Sequence, residues 1–412
     1  MSDVWTKAYN RLTELYGETA DIRIINRFYS EKRILLSCEL YMHYLEFFGR
    51  LREYATQKGE HIFVRGTAGS SFVAYLLGAT DINPLPRHSY CPHCHKVIFM
   101  AEGSPFDSIT GKCSCGEDLV IDGHGVPFES NIKYAIAEKI QLGVSHSFFD
   151  EAKRMICDEM WDKAIITLHD RAIAPTRFCF LDREDNDDGD YALSGNSELF
   201  SDLPHITLVP VAMLDKYREL ERKTGFKIKD IGYREQSLAF EGFMECSVAK
   251  IPHFDNSFMR NILKTVEPQS YGELLKLIGF SLSTNVWNDN AEILFDDRRM
   301  SLREIPAYRE ELYSMICDRL YQKGIYDGGF AYEIMERVRL GDYTRKGGID
   351  DASLFALCHL GFDNDFICFL EKINYMFPKA HGVAYLREAI AMMFYKMQFG
   401  KEYDEIMLDN KA

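Results

Sequence analysis

Four cysteines stand in two close pairs, Cys91-Pro-His-Cys94 and Cys113-Ser-Cys115, with eighteen residues between them. Two such pairs can close a tetrahedral zinc shell, because each pair grips the ion from one tight turn. Gly116, just after the second pair, suits such a turn. The second pair is Cys-x-Cys, shorter than the usual Cys-x-x-Cys, which leaves His93 and His95 as substitute ligands. A shell of four protein ligands has no open position, so the expected metal is structural Zn2+. The competing reading is four free surface thiols. A second chemical feature lies upstream, in VRGTAGSSFVAYLL. Backbone N–H groups at a glycine turn that opens a helix can bind an anion. Gly66, Gly69, Ser70 and Ser71 fit that role, with Arg65 beside them. Taken alone, the pattern describes an ordinary strand–turn–helix corner equally well.

The elements that must position these residues can be read from pattern. Residues 5–57 read mostly as helix, with apolar residues at helical spacing in ILLSCELYMHYLEFFGRL and a stop at Gly59. His61–Arg65 is a strand candidate, Gly66–Ser70 a turn, and Ser70 or Ser71 a cap for a short apolar helix running to Leu77. Residues 87–125 are loop-rich and 126–180 mix helix with strand. Residues 181–204, which open on LDREDNDDGD, read as an exposed acidic loop. HITLVPV (His205–Val211) reads as a strand, with Pro210 putting it at an edge or an end. From Asp215 the pattern is nearly all helical, with helices at 215–224, 307–323, 330–340 and 383–399 bounded by Pro and Gly.

The 412 residues suffice for two or three cores, and 46% hydrophobic with 27% charged content is ordinary for a globular chain. A net charge of −15 argues against a protein that coats duplex DNA, though a local basic groove can coexist with it. Eleven cysteines and no export signal argue for a reducing compartment, so a cytoplasmic location is expected. No apolar run reaches membrane length, and no membrane partner is expected.

Several blocks together resemble one family. RGTAGSSFVA is similar to the RGSVGSSFVA block of PolC-type (C-family) bacterial DNA polymerase III alpha subunits, which lies beside the incoming nucleotide. INPLPRHSYCPHC resembles the run that leads into that family's zinc motif, and IDGHGVPFE its DGHxIPFE segment. IGFSLSTNVWNDNA (Ile278–Ala291), FAYEIMERVRLG (Phe330–Gly341) and INYMFPKAHGVAYLREAIAMMFYKM (Ile373–Met397) resemble fingers segments, in family order. The resemblance implies an α/β plus α fold: a nucleotidyltransferase-like palm with an inserted zinc knuckle, followed by helical fingers. The implied partition is 1–86 for the N-terminal helices and the first part of the palm, 87–125 for the knuckle, 126–214 for the rest of the palm, and 215–412 for the fingers. The family's exonuclease, phosphoesterase-like and clamp-binding parts fall outside the resemblance.

The departures bear on activity. These polymerases join a primer 3′-hydroxyl to a nucleotide with two Mg2+ ions held by three palm aspartates, which neutralise charge and align attack and departure. Counting on from VPFE, the aspartate positions fall on Gln141 and Gly143 in IQLGVSHS and on Val209 in ITLVPVA. None of these is a carboxylate, so no catalytic residue is assigned and the Mg2+ pair is in doubt. In the family the block holding Lys379 and His381 faces nucleotide and template, so phosphate or base contact is one reading of the pair; a solvated helix entry after Pro378 is the other. Asp187, Asp188 and Asp190 read as a solvated loop, and Tyr375, Phe377 and Tyr385 as core.

The leading expectation is a truncated, catalytically inactive PolC-like polymerase homologue that binds nucleotide, primer–template DNA or a replication protein. Two alternatives stay open. One is an active DNA-directed DNA polymerase whose metal is held by other acids, such as Asp150 or Glu151, or by a partner chain. The other is a protein-interaction or regulatory module without nucleic-acid binding.

Overall fold

The computed structural model describes residues 2–100, 111–128, 139–160, 165–168, 171–173, 183–185, 191–193 and 205–408. The described residues divide into two compact units. One is drawn from 2–100, 111–238 and 394–408, and the other is 239–393. Residues 215–238, grouped by sequence with the helical part, belong to the first unit.

Three helices open the chain: α1 (Ser2–Tyr16), α2 (Ile22–Leu35) and α3 (Glu39–Gln57). Each carries an apolar stripe at helical spacing, such as Tyr41, Leu45, Phe48, Leu51 and Ala55 in α3, all buried. In α2 the buried stripe is Ile24, Phe28, Glu31 and Leu35, so a glutamate occupies a core position. β1 (Ile62–Gly66) leads through a 3-10 turn (Thr67–Ser70) into α4 (Phe72–Leu76). Ser71 caps α4, its hydroxyl accepting from the N–H of Ala74 at 3.1 Å.

A three-stranded antiparallel sheet follows, with β2 (His88–Tyr90) between β3 (Val97–Phe99) and β4 (Val120–Asp122). A larger sheet of seven strands has the order β1-β5-β10-β6-β7-β9-β8, where β5 is Lys139–Val144, β6 Ile165–Leu168, β7 Arg171–Ile173, β8 Arg183–Asp185, β9 Tyr191–Leu193 and β10 His205–Pro210. β5 is antiparallel to β1 and parallel to β10. Helices α5 (Phe149–Met160) and α6 (Ala212–Thr224) follow β5 and β10. Ile62 and Val64, Ile140, Leu142 and Val144, and Ile206 and Leu208 are buried in one core with α1–α5 residues. Burial of each such side chain stabilises by about 1.5–3 kcal/mol, which fixes the register, since a one-residue slip would turn the apolar set outward.

One sequence expectation changes here. The acidic stretch 181–204 is not simply a loop, because β8 and β9 pair antiparallel within it, Asp185 opposite Tyr191. The acidic composition of the stretch hides two such short strands; Asp187, Asp188 and Asp190 themselves lie outside the described residues. Of the two places that Pro210 allows β10, an edge or an end, the strand takes the end. It sits between β5 and β6, and Pro210 is tolerated as its last residue because pairing with β6 ends at Leu208.

The second unit is helical among its described residues. Its core includes Tyr308, fully buried, whose hydroxyl donates to the Leu275 carbonyl at 2.7 Å. Glycines at 279 and 382 make room for that ring, since a Cβ on Gly382 would lie 2.1 Å from Tyr308 Oη. No helix among the described residues is long and apolar enough to cross a membrane.

Candidate functional site

The three positions that the resemblance equates with catalytic aspartates are neighbours. Gln141 and Gly143 are two apart on β5 and therefore share a face, and Val209 of β10 pairs with Gly143. Thr207 lies opposite Gln141 on β10, and Arg65 opposite Gln141 on β1. Paired residues point to the same side of a sheet, so Phe63, Arg65, Gln141, Gly143, Thr207 and Val209 make one face. That face is turned away from the core: its residues other than Gly143 are partly exposed, whereas the alternating Ile62, Val64, Ile140, Leu142, Val144, Ile206 and Leu208 are buried. No carboxylate stands on it within these three strands.

Gly143 is held small by its surroundings. A Cβ built there would lie 2.8 Å from Val211 Cγ2 and 3.6 Å from Phe63 Cβ. Gly143→Asp is therefore expected to lower stability by about 1–3 kcal/mol, the range for overpacking. Val211→Ala in the same chain is expected to recover most of that loss. Urea melts of the single and double variants check this, and a Gly143→Asp melt equal to wild type would sink the packing account.

Acids just beyond the strand ends are already engaged. Glu60 accepts from Ser145 Oγ at 2.6 Å, from Ser147 Oγ at 3.0 Å and from Arg218. Asp215 meets His146 Nδ1 at 2.7 Å. Glu151, a candidate substitute ligand, accepts from Tyr54 Oη at 2.6 Å and Lys58 Nζ at 2.8 Å. The Lys58 ammonium, helped by Tyr54, holds the Glu151 carboxyl below its usual range. Asp150 is exposed.

The glycine–serine turn differs from its expected role. Ser70 and Ser71 are completely buried. The N-terminus of α4 already holds an anion, the chain's own Glu31. Its carboxylate accepts from Ser71 Oγ (2.8 Å), Phe72 N (2.9 Å) and Val73 N (3.1 Å). Arg27 closes the arrangement, donating to Glu31 at 2.5 Å and to the Ser70 carbonyl at 2.6 Å. Charge-assisted hydrogen bonds of this kind are the strong ones, and they satisfy donors that a helix start leaves unpaired. Ser70 and Ser71 are thus built into the fold. Arg65 and Gly66 (φ 103°) are the members of the predicted set that stay partly exposed, and Gly69 is buried.

In the second unit, Lys379 opens the helix Lys379–Gln398. Its ammonium lies 3.3 Å from Glu311 Oε1, and its N–H donates to Glu310 Oε2 at 2.9 Å. Lys276 Nζ meets Glu311 Oε2 at 2.9 Å and the Ile305 carbonyl at 2.8 Å. Lys379 is therefore a partner in an internal ion cluster. His381 stands edge-on to Phe377, with ring centres 5.5 Å apart, and is partly exposed. Tyr375, Phe377 and Tyr385, read by sequence as core, are also partly exposed, and Tyr385 lies against His253 at 4.2 Å.

The four cysteines converge. Cys91, Cys94, Cys113 and Cys115 bring their sulfurs within 4.8 Å of one another and could hold a metal ion. Cys91 lies 3.5 Å from Cys115, and Cys94 lies 3.5 Å from Cys113. Four sulfurs at about 2.3 Å from a central ion would stand about 3.8 Å apart, so the donor set fits tetrahedral zinc with little movement. Tight turns build it: His95 N donates to Cys91 O at 2.9 Å and Gly116 N to Cys113 O at 2.9 Å, with Gly116 at φ 93°. His95 Nδ1 is instead 3.3 Å from the Leu15 carbonyl, and His93 is exposed. Among the described residues, no other group of three or more His, Cys, Asp or Glu side chains lies close enough to hold an ion.

A buried polar chain ties the knuckle's sheet to the helices. His88 Nδ1 is 2.7 Å from the Pro86 carbonyl, which can only accept, so in the neutral ring Nε2 accepts from Tyr16 Oη at 3.0 Å. Burial pushes the His88 pKa down and so favours that neutral ring. Asn83 donates to Tyr16 Oη and to Asp122 Oδ2, both at 2.8 Å, and Tyr75 donates to the same Asp122 oxygen at 2.9 Å. Sequence reading missed this chain because its members are far apart, although buried Tyr, Asn and Asp in one region must find partners.

These features define a mixed α/β protein with an open sheet face, a cluster of four cysteines that could hold a metal ion, and a helical second unit. The chain belongs to the bacterial DNA polymerase III alpha NTPase domain family, which residues 2–272 match. It is similar to the DNA polymerase III PolC-type of Oceanobacillus iheyensis, 25% identical over 94% of this chain and 32% of that protein. The corresponding protein of Thermotoga maritima is 24% identical over 95% of this chain and 34% of its own length. That of Mycoplasmopsis pulmonis is 26% identical over 82% and 28%. The chain thus spans about a third of the length of the curated relatives it matches.

Proposed function

We propose that this chain is a palm-and-fingers relative of PolC-type polymerases that binds nucleotide or primer–template DNA without joining nucleotides itself. The observation that carries this reading is the open face of β1, β5 and β10. Gln141, Gly143 and Val209 stand together there, at the positions that the resemblance gives to the metal-binding aspartates. Gln141, Thr207 and Arg65 can hydrogen-bond a phosphate, sugar or base, but a glutamine amide and a valine cannot neutralise two divalent ions as carboxylates do. Lys379 adds no free charge, because Glu311 shares it. The knuckle, in this reading, holds one structural Zn2+ and positions the sheet against α1 and α4.

Primer extension with purified protein in Mg2+ or Mn2+ tests the reading. The expected result is no templated extension, together with salt-dependent binding of primer–template DNA that weakens as ionic strength rises. Robust extension would overturn it. Absence of any salt-dependent binding would favour a protein-interaction module.

A further inference from the structure

The four-cysteine cluster has an arrangement of access that a purely structural metal site does not require. Two sulfur separations of 3.5 Å join cysteines of different turns: Cys91 with Cys115, and Cys94 with Cys113. Each of these cross-pairs combines one exposed and one buried residue, for Cys94 and Cys115 are exposed while Cys91 and Cys113 are buried. An oxidant arriving from solvent therefore meets one sulfur of each pair first and finds the second directly behind it. That is the layout of an oxidisable thiol with a resolving thiol.

We propose that the knuckle is a site of reversible oxidation by peroxide-class oxidants, closing the two cross-disulfides Cys91–Cys115 and Cys94–Cys113 as the metal leaves. The proposal rests on the reading of the cluster as a metal site only for the starting state. In each pair the exposed thiolate attacks one peroxide oxygen, the O–O bond breaks, and a sulfenic acid forms as hydroxide leaves. The buried thiolate then attacks that sulfur and expels a second hydroxide, which takes up a proton to leave as water. Two thiols and one hydrogen peroxide give one disulfide and two waters. The sulfurs must close from 3.5 Å to about 2.05 Å. The alternative bond Cys113–Cys115 would close a ring over a single intervening residue. The alternative Cys91–Cys94 would leave the second turn untethered.

The consequence is that both states stay closed. Metal and cross-disulfides each tie residues 91–94 to residues 113–115, so the sheet of β2, β3 and β4 keeps its covalent or coordinate clasp. Cys358 and Cys368, exposed cysteines outside the cluster, serve as internal controls.

The test uses the full chain in two forms, as purified and stripped with a chelator, each treated with a small excess of hydrogen peroxide. Free thiols are then alkylated and disulfides mapped by peptide mass spectrometry, with released zinc followed by a colorimetric chelator. The expected result in both forms is Cys91–Cys115 with Cys94–Cys113, lost on adding dithiothreitol. Zinc release is expected to track disulfide formation in the as-purified form. Cys115→Ser is expected to retain only Cys94–Cys113 and to leave Cys91 alkylatable. Disulfides within either turn, links between chains, or thiols that stay alkylatable in the stripped protein would overturn the proposal. Absence of zinc in the as-purified form would refute the metal reading alone, since the stripped form still reports on the pairing.

Discussion

Replacing Glu311 with glutamine is expected to destabilise the second unit by about 3 kcal/mol, near the lower end of the range for breaking a buried ion pair from one side. Two lysines share this one carboxylate, with Lys276 at 2.9 Å and Lys379 at 3.3 Å. Glu311 Oε2 also accepts from the Ala307 N–H at 3.0 Å. Glutamine keeps an acceptor for Ala307 but leaves two ammonium groups in a largely buried site. Burial pushes the Glu311 carboxyl up, yet Lys276 and Lys379 outweigh it and hold the group down to about 2. A depressed acid contributes its stability above its unfolded value, near 4.5, and loses it as pH falls through the folded value. The gap between wild type and Glu311→Gln is therefore expected to be full at pH 7 and to narrow between pH 4.5 and 2. Denaturant melts across that range check it. A gap independent of pH would show that shape, not charge, sets the cost.

The second large effect is expected on removing the metal proposed for the knuckle. Structural zinc contributes about 10–16 kcal/mol of apparent binding energy in small zinc domains at neutral pH. Much of that becomes folding energy when the ligands sit on short turns with a small core of their own. Here that core is Cys91, Cys113 and Leu119, so two of its three members are themselves candidate ligands. Chelation of reduced protein, or Cys91→Ser, is expected to remove the metal and to melt residues around 88–122 before the rest of the first unit. Tyr16, Tyr75 and Tyr90 report on this, since they pack against or bond to the knuckle's sheet. Their near-ultraviolet dichroism is expected to fall while helix content changes little. Unchanged tyrosine signals in metal-free, reduced protein would show that the Tyr16–Asn83–Asp122 chain alone carries the knuckle.

What could be read from the sequence was what local spacing encodes. The alternation in β1, β5 and β10 marks the buried face, the cysteine pairs mark their cluster, and Ser71 marks the start of α4. The long-range acids could not be read in this way. Glu31 lies 40 residues before Ser71, and no local pattern links them. One signal was available: Glu31 falls in the same helical stripe as Ile24, Phe28 and Leu35, and a glutamate in a core stripe must have a buried partner. The same limit applies to Lys379, whose partners Glu310 and Glu311 sit some seventy residues earlier. In both places a cation or helix start that looked available for a ligand is answered from within the chain. The β8–β9 pairing was hidden differently, by an acidic turn composition that masks two very short strands.

The Glu31 carboxylate has a kinetic consequence as well. The amide hydrogens of Phe72 and Val73 would ordinarily exchange with solvent quickly, because the first turn of a helix lacks internal acceptors. Here each points at an oxygen of the buried Glu31 carboxylate, Oε1 pinned by Arg27 and Oε2 by the Ser71 hydroxyl. Their exchange then requires α2 and the turn to part together, so these two amides become slow reporters of cooperative opening rather than of fraying at a helix end.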